Sequence, residues 1–474
     1  MTLFPSRALV ERVRTFRPAR VSRLVILTGC VAGAAVGTAS GLAAPAVASP
    51  GPDAAWDTVA ALTVDGELVL FDSSGIEIDR IDTERGESEL RMMRPAADQL
   101  VLLADDAHQL LVVDPGTGVI SEFAIPEDAA LTPARGSGEV FMAAPTTGGA
   151  VGVVVNVGTR SSFDLTDLAA SGVVGDESMY FAGSLVASPD GTQFAIAEED
   201  SRSTAVVSFS DAQPFTVPGR PLGFFGTYVV TVDSAGSQER IVFSDASNGT
   251  LVQAIDADRL LGAAVVADGS VVAIDDAGSI IRFDAAQPTA QQLGSIGLGA
   301  DVDVYVGPTS SGFVVVTETE ANFFGIDGRA GRTVAISNGQ LLGLGRTPQR
   351  CLAIGDRERE AIALLDTDDQ VVLAEAAGIG PVSGFSDDGC TAVVLGIQVT
   401  IVGHGAAEHG GVLTLPERWV VGAISPDGTH VVAIDPDRTT RVIDIGAANP
   451  DDPTARGVVL GDGAFAGTAF VDLS

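Results

Sequence analysis

The chain has 474 residues, and its 27 basic and 62 acidic side chains give a formal net charge of −35 at pH 7. All 27 bases are arginine, so no lysine is present to form a Schiff base or to bind a nucleotide phosphate. A nucleic-acid partner requires a cationic surface, and this charge balance therefore argues against nucleic acid as a ligand. The 46% of hydrophobic residues supply a large core, and the 56 glycines predict many turns.

Residues 1–48 have the order of an export signal. Residues 1–23 carry six arginines and one acid, and residues 24–49 carry no charge. The Ala-Val-Ala sequence that ends at Ala48 then predicts cleavage after this residue. Two alternatives remain open: the uncharged segment is retained as a membrane anchor, or Cys30, at the end of a Leu-Thr-Gly-Cys sequence, is lipidated. Each alternative predicts an extracytoplasmic protein, either secreted or associated with the cell envelope.

Residues 49–55 are interpreted as a short proline-rich linker, and one repeat pattern recurs after them. Each unit has four predicted strands, and a Ser-Pro-Asp-Gly turn that begins at Ser188 or Ser425 joins the first strand to the second. Variants of this turn begin at Ser386 and Ala267. Glycine accepts the positive φ of a tight turn, and the Val- and Ile-rich flanks favour strands. The repeat spacing of roughly 36–46 residues is typical of four-stranded propeller blades.

The sequence therefore predicts an all-β fold, a single β-propeller of about ten blades over residues 56–474. The segment Trp56–Thr83 supplies only three strands, predicted at Thr58–Val64, Glu67–Phe71 and Gly75–Ile81. The last segment, Ala464–Leu473, has the pattern of a single first strand. Pairing of the two segments would close the ring and remove an open sheet edge. If the irregular units around Leu131–Gly183 merge, the number of blades falls to seven to nine.

These repeats resemble those of extracytoplasmic bacterial β-propellers with WD-like or YVTN-like repeats. The resemblance rests on the Ser-Pro-Asp-Gly strand pattern and covers residues 56–474. A Trp-Asp pair occurs at Trp56-Asp57 but is not repeated in the other units. The resemblance implies a ring scaffold that binds a partner, and it transfers no catalytic residue to this chain.

Cys351 and Cys390 are the two cysteines that follow the export signal. Both are predicted to begin the second strand of their units, and these units are consecutive. The fold would then hold the two side chains next to each other on neighbouring blades. Because an exported protein enters an oxidising compartment, we predict a disulfide between them. The competing interpretation is a pair of buried thiols.

His404, Glu408 and His409 lie in one glycine-rich turn and offer ligands that zinc and copper accept. Solvated turn residues are the competing interpretation, and His430 would add a ligand only if the fold brought it near. Acidic pairs and runs recur in other turns, but none matches a calcium-binding loop, so we interpret them as solvated. These turns are Asp105-Asp106, Asp366–Asp369, Asp435–Asp437 and Asp451-Asp452. No cofactor is expected.

The sequence contains neither a Gly-x-Ser-x-Gly nucleophile motif nor a glycine-rich phosphate loop. It therefore predicts a monomeric, non-enzymatic scaffold that binds a protein or a cell-envelope ligand through its rim or channel mouth. One alternative is a propeller enzyme, lactonase-like or lyase-like, that uses polar residues at the channel mouth. Another is a metal-binding carrier.

A reporter that is active only outside the cytoplasm should become active when it is fused behind residues 1–55, because their order is that of a secretory signal. The matched control carries Val36→Asp, which places a charge in the uncharged segment and should keep the reporter inside. Equal activity of the two fusions, or no activity of either, would contradict export.

Overall fold

The fold is described from a computed structural model of the chain. It describes residues 56–85, 90–96, 99–104, 108–127, 129–145, 152–170, 184–197, 203–210, 213–235, 238–287, 289–298, 304–336, 339–343, 350–356, 361–377, 382–396, 398–404, 406, 411–448, 457–461, 465–471 and 473. The predicted export signal, linker and candidate lipidation site at Cys30 lie outside the described residues. Within these residues, no helix combines the length and the apolar character needed to cross a membrane.

The described residues form ten four-stranded antiparallel sheets, numbered here as blades 1 to 10. The strands of the first half of the chain are β1 (Thr58–Thr63), β2 (Glu67–Asp72), β3 (Glu77–Asp82), β4 (Leu90–Ala96), β5 (Gln99–Ala104), β6 (Gln109–Asp114), β7 (Val119–Ala124), β8 (Ala129–Pro133), β9 (Val140–Pro145), β10 (Val153–Asn156), β11 (Ser161–Asp164), β12 (Val186–Ala187), β13 (Gln193–Ala197), β14 (Ser203–Ser208), β15 (Phe215–Pro218), β16 (Arg220–Phe225), β17 (Tyr228–Ala235), β18 (Gln238–Asp245) and β19 (Leu251–Ala257). A short helix, α1 (Thr166–Ala170), follows β11.

The second half of the chain continues the series of four-stranded sheets, and its described residues contain no α-helix. Its strands are β20 (Leu260–Val265), β21 (Val271–Asp275), β22 (Ser279–Phe283), β23 (Gln291–Ser295), β24 (Tyr305–Pro308), β25 (Gly312–Val316), β26 (Glu320–Gly325), β27 (Ala330–Ala335), β28 (Gly339–Gly343), β29 (Cys351–Asp356), β30 (Ala361–Asp366), β31 (Val371–Ala377), β32 (Val382–Phe385), β33 (Thr391–Leu395), β34 (Val399–Gly403), β35 (Val412–Thr414), β36 (Val420–Ile424), β37 (His430–Ile434), β38 (Thr440–Asp444), β39 (Val458–Val459) and β40 (Phe465–Val471).

Blade 1 consists of β1 to β3 together with β40, and each later blade takes the next four strands in order. Within blades 2 to 10 the strands pair in chain order, β40 takes the first position in blade 1, and several neighbouring blades contact each other through their first strands. The first strand of each blade is therefore the innermost one and lines the central channel. The hydrophobic core lies between blades, as where Leu364 of blade 8 packs with Val402 of blade 9. Stacking of apolar sheet faces is what buries the Val- and Ile-rich strands.

The recurring turn explains why the first and second strands of a blade form a tight hairpin. Ser425 donates its hydroxyl to Asp427 Oδ1 at 2.6 Å, and the Gly428 amide donates to the Ser425 carbonyl at 2.9 Å. Gly428 has φ +68°, where a side chain would be strained. Equivalent serine-to-aspartate hydrogen bonds occur at Ser188 and Ser386. The Ser-Pro-Asp-Gly pattern thus fixes the turn by its own side chains.

Glycines on the innermost strands allow neighbouring blades to approach closely. In β20 the pairing register with β21 shifts between Leu260 and Gly262. A Cβ atom on Gly262 would lie 3.0 Å from the Val304 carbonyl oxygen at the start of blade 7. Comparable register shifts occur beside a glycine in blades 5, 8, 9 and 10. The shift bends each innermost strand, and the missing side chain leaves room for the next blade.

Strand β40 closes the ring by antiparallel pairing with β1. The register runs from Thr58 opposite Val471 to Thr63 opposite Phe465. Phe470 is buried in a cluster that joins blade 1 to blade 10. Trp56 packs edge-on against Phe470 at 4.6 Å and against His430 of blade 10 at 4.9 Å between ring centroids. The closing strand is therefore held by backbone pairing and by an aromatic clasp.

The structure confirms the predicted ten-blade propeller and its closure by the C-terminal strand. Predicted units begin at or near the innermost strands, as at Leu260, and β40 (Phe465–Val471) lies inside the predicted segment 464–473. The alternative of seven to nine blades is wrong, because the irregular region around residue 131 contains a complete blade 3. The sequence did not predict α1, which follows the last strand of this blade.

We expect Phe470→Ala to lower the free energy of unfolding by about 3–5 kcal/mol, because it empties a fully buried site in the closing strand. The matched control is Leu251→Ala, since Leu251 is 58% exposed on an outer strand and should change stability little. Urea unfolding of both variants gives the measurement.

Deletion of residues 464–474 should unfold or aggregate the protein, and a truncated chain as stable as the full one would refute closure by β40.

Candidate functional site

Aspartates recur where the third strand of a blade ends. Asp72 Oδ1 accepts the amide N–H groups of Ser74 and Ile76, both at 2.9 Å. This bond pattern closes the turn to the fourth strand and explains the strand-final aspartate of the repeat. Blade 3 has Asn156 at this position, and its Oδ1 accepts the Thr159 amide at 2.9 Å. Aspartates with the same role are Asp72, Asp114, Asp245, Asp284, Asp366 and Asp444.

The turns between first and second strands lie on the same face of the ring as these turns. This follows from the topology, because consecutive strands of a blade run in opposite directions and the first strands are all innermost. A contact confirms it: Arg282 on the third strand of blade 6 binds Asp268 in the first-to-second turn at 2.6 Å. We call this the Asp-turn face, defined by Asp190, Asp268, Asp388 and Asp427 together with the six aspartates named above.

Hydrogen bonds keep several carboxylates of the Asp-turn face ionised. The Ser74 hydroxyl lowers the pKa of Asp72, and the Ser247 hydroxyl lowers the pKa of Asp245. The Ser188 hydroxyl lowers the pKa of Asp190 in the same way. A donor that stabilises the anion always acts in this direction. These groups therefore keep their negative charge at any pH above their lowered pKa values.

Contacts between blades fix the positions of these turns. Asn156 of blade 3 donates to the Gly191 carbonyl of blade 4 at 2.6 Å. Gln193 of blade 4 donates to the Ala246 carbonyl of blade 5 at 2.7 Å. Arg160 of blade 3 binds Asp114 of blade 2 at 3.1 Å. The Asp-turn face is thus a framework of linked turns rather than a set of independent loops.

The predicted disulfide between Cys351 and Cys390 is present. It joins the beginning of the second strand of blade 8 to that of blade 9, with a Cα–Cα distance of 4.9 Å. The Cys351 amide also donates to the Asp388 carbonyl at 3.0 Å. Both sulfur atoms lie within 4.8 Å of an Asp366 oxygen, a set that resembles a metal site. Because the disulfide uses both sulfurs, no thiolate remains there to bind a metal.

Asp366 corrects one prediction about the acidic turns. The run Asp366–Asp369 was expected to be solvated, yet Asp366 is 1% exposed. Arg350 binds its Oδ2 through Nη2 at 2.9 Å and through Nε at 3.2 Å, and Asp366 raises the pKa of Arg350. Burial of this carboxylate is tolerated because it is paired and also accepts two turn amides.

Of the predicted cluster His404, Glu408 and His409, only His404 lies among the described residues. His404 is exposed, and its amide donates to the Cys390 carbonyl at 2.8 Å. Glu408 and His409 lie outside the described residues, so the metal prediction stays a prediction. His430 contacts Trp56 and shares a hydrogen bond with the Thr429 hydroxyl at 2.7 Å.

The predicted acidic pairs at residues 105–106 and 451–452 also lie outside the described residues. In the acidic turn at residues 435–437, Asp435 accepts a hydrogen bond from the Thr439 amide at 2.8 Å.

A second polar site, in the channel, was not predicted. Arg135 follows β8 of blade 3, and its Nη2 donates to the Pro221 carbonyl on the innermost strand of blade 5 at 3.1 Å. Burial lowers the pKa of Arg135 to about 10. Burial also raises the pKa of Tyr305 on the innermost strand of blade 7, and the charge of Arg135 opposes this shift. The only feature of the sequence that could have drawn attention to Arg135 is its position as a single arginine directly after a predicted strand of an acidic chain.

Comparisons with known proteins give similarity in fold only. No family model matches the chain, and no curated protein matches it. Among solved structures, AztD from Citrobacter koseri is 14% identical over 77% of this chain and 95% of that chain, with a TM-score of 0.41. The dihydro-heme d1 dehydrogenase NirN in complex with DHE is 10% identical over 79% and 76%, with a TM-score of 0.39. The hydrazine synthase of Kuenenia stuttgartiensis is 15% identical over 65% and 93%, with a TM-score of 0.33. Similarities this distant carry no argument about function.

The double variant Cys351→Ser/Cys390→Ser should lose about 4 kcal/mol of unfolding free energy, because the bridge closes a loop of 39 residues. Urea unfolding with and without dithiothreitol supplies a matched control: reductant should destabilise the wild type to the level of the variant and leave the variant unchanged. Thiol labelling of the denatured, non-reduced protein should modify neither cysteine. Two labelled cysteines at these positions would contradict the bridge in solution.

Proposed function

We propose that this protein is an exported, non-enzymatic β-propeller scaffold that binds a cationic protein of the cell envelope through its Asp-turn face. The observation that carries the proposal is the repetition of carboxylates at equivalent positions around this face. Asp72, Asp245 and Asp444 occupy the same place in three blades, and no described arginine forms an ion pair with any of them. Their charges therefore remain free for a partner.

Charge complementarity gives the class of the partner. The chain carries a net charge of −35, so anionic polymers and anionic lipid surfaces are repelled. A partner rich in arginine or lysine is attracted, and a field of this sign accelerates its association. The cross-blade contacts of Asn156 and Gln193 hold the turns in place, which limits the entropy lost on binding.

Arg135 and Tyr305 are poorly suited to act as a general acid or base. Burial lowers the pKa of Arg135 only to about 10 and moves the pKa of Tyr305 upward. Neither group changes its protonation near neutral pH, whereas a general acid or base works best with a pKa near the working pH. The enzyme alternative therefore gains no support from these two residues. The metal-carrier alternative depends on Glu408 and His409, and metal analysis of the purified protein would test it.

An extracytoplasmic location is part of the proposal. The order of residues 1–48 is that of an export signal, and the disulfide between blades 8 and 9 is typical of proteins that fold in an oxidising compartment. A surface of this charge also favours the solubility of an exported protein.

Binding of an oligo-arginine peptide should weaken about ten-fold in the triple variant Asp72→Asn/Asp245→Asn/Asp444→Asn, because three exposed charge pairs are lost. Asparagine preserves the turn, as the Asn156–Thr159 hydrogen bond of blade 3 shows. The peptide should also dissociate as salt rises, and its binding should persist until the pH falls below the usual pKa of aspartate. The lowered pKa values of Asp72 and Asp245 keep these two carboxylates charged above that point. Isothermal calorimetry at several salt concentrations and pH values measures these effects.

The matched control removes the same charge from the opposite face. Asp65, Asp276 and Asp437 lie in turns between second and third strands and are exposed. The variant Asp65→Asn/Asp276→Asn/Asp437→Asn should retain most of the affinity, and cross-linking in the native envelope should recover a basic partner with this control but not with the first variant. Equal loss in both triple variants would reduce the effect to net charge and would defeat the assignment to the Asp-turn face.

A further inference from the structure

A polar cleft lies on the Asp-turn face, where the third strand of blade 6 leads to the fourth. Its volume is about 200 Å³, and the residues that line it are Arg282, Asp284, Gln287, Thr289 and Gln291. Arg282 and Gln291 are opposite each other in the pairing of β22 with β23, and the other three lie in the connection between these strands. The cleft is therefore built on a paired hairpin.

The connection that carries the cleft is longer than a tight turn requires. Residues 284–290 separate β22 from β23, whereas residues 73–76 separate the equivalent strands of blade 1. The turn of blade 6 already closes at Asp284, whose carbonyl accepts the Gln287 amide at 3.0 Å. Thr289 belongs to the residues that follow this closed turn, and it lines the cleft. The additional length thus adds polar side chains to the hairpin.

Two neighbouring turns hold Arg282 in place at the cleft. Its Nη2 binds Asp268 Oδ2 at 2.6 Å in the first-to-second turn of the same blade, and its Nη1 donates to the Ile326 carbonyl of blade 7 at 3.3 Å. Within the described residues its Nε–H has no acceptor, so a donor remains for a ligand. Because Asp268 balances the charge of the guanidinium, the cleft contains a positioned donor without an excess positive charge.

The other lining groups keep free hydrogen-bonding capacity. Asp284 Oδ1 accepts one turn amide at 2.9 Å, whereas its Oδ2 lies 3.9 Å from Arg282 Nη2, which is too far for a hydrogen bond. Within the described part of the chain, the side chains of Gln287, Thr289 and Gln291 form no hydrogen bond, and all three are exposed to an incoming ligand. Carboxamides and hydroxyls both donate and accept, so the cleft presents donors and acceptors side by side.

We propose that this cleft binds a neutral sugar ring. Each sugar hydroxyl donates and accepts, so two neighbouring hydroxyls match the adjacent donor and acceptor of a glutamine carboxamide. Asp284 Oδ2 accepts a hydroxyl proton, and the Nε–H of Arg282 donates to a ligand oxygen. The volume of about 200 Å³ is below the ~300–1,000 Å³ of sites for drug-sized ligands, which limits the enclosed part of the ligand to a single ring.

The lining and the charges argue against the other classes of small ligand. An apolar ligand would cover five polar side chains without replacing their hydrogen bonds to water. An anion would meet Asp284 in a chain with a net charge of −35. A cation would face Arg282 and would leave the donors of the cleft unmatched. A neutral group that both donates and accepts uses every lining side chain.

The site goes beyond the cationic partner proposed for the Asp-turn face, and substitutions that change no charge can test it separately. Saturation-transfer NMR of the full-length protein with the methyl glycosides of glucose, mannose, galactose and N-acetylglucosamine gives the measurement. At least one of these sugars should bind saturably, with a Kd of about 1 mM, because the contacts are few and exposed. A tetrasaccharide of the same sugar should bind at least as well if the natural ligand is a polysaccharide and more weakly if it is a free sugar, and both outcomes support the site.

Gln287→Ala/Gln291→Ala should weaken sugar binding roughly ten-fold or more, because it removes two side chains that donate and accept. The matched control is Gln292→Ala. Gln292 is exposed on the same strand but is opposite Ile281 and does not line the cleft, since successive side chains of a strand point to opposite faces. This control should leave sugar binding unchanged. All variants should keep the wild-type Tm, because the substituted residues are exposed.

Binding of an oligo-arginine peptide to the same variants separates the two proposals. Gln287→Ala/Gln291→Ala keeps every charge and should bind this peptide as the wild type does. Should the double variant unfold, Thr289→Ala replaces it and should weaken sugar binding about five-fold. Three results would overturn the sugar site whatever the peptide does: no saturable binding of any of the four glycosides, an equal loss in Gln292→Ala, or tighter binding of ethylguanidinium than of every glycoside in the same cleft.

Discussion

The pairing of β40 with β1 is the interaction on which the whole ring depends. Among the described residues, neighbouring blades contact each other through side chains and isolated backbone bonds, whereas this pairing joins the two ends of the described chain within the sheet of blade 1. Without it, both ends of the array would expose unpaired strand edges, which are sites of aggregation. The aromatic clasp of Trp56, Phe470 and His430 adds apolar contact at the same point. The channel, the Asp-turn face and the spacing of their residues all assume a closed ring.

Closure places strongly charged turns close together, and the structure shows how their repulsion is tolerated. The aspartates of the Asp-turn face are used first as acceptors for turn amides, which stabilises their anions locally. Arginines then pair with some of them, as Arg160 does with Asp114 and Arg350 with Asp366. The disulfide between Cys351 and Cys390 and the side-chain amides of Asn156 and Gln193 link turns of neighbouring blades and so fix the distances between their charges. The same residues therefore build the turns, keep the surface charged and set the positions of the charges.

Most of the fold could be predicted because its determinants are local and repeated. A Ser-Pro-Asp-Gly turn closes on its own side chains, so its sequence is enough to identify it. The disulfide was predictable for a related reason: Cys351 and Cys390 occupy equivalent positions of consecutive units, and equivalent positions of neighbouring blades are adjacent in a propeller. Wherever the repeat is regular, residues at equivalent positions of consecutive units can therefore be predicted to lie next to each other.

The channel site and the burial of Asp366 could not be predicted in this way. Arg135 and Pro221 belong to blades 3 and 5, and they meet because innermost strands converge toward the axis. The number of residues between two such positions does not predict that they meet at the axis. Asp366 looked like one of several acidic turn residues, and only its position behind the disulfide and beside Arg350 makes it buried. Local patterns identify elements, whereas these sites depend on the way in which distant elements pack.

The register of the closing pair also sets the mechanical behaviour of the molecule. Thr58 is opposite Val471, so the two ends of the described chain leave the same end of one antiparallel pair. A force that pulls these ends apart loads one ladder hydrogen bond at a time, as in a zipper, and does not shear the whole pair at once. The ring would therefore open at this seam under low tension. The segment between Cys351 and Cys390 could not extend under the same tension, because its covalent bridge carries the force past it.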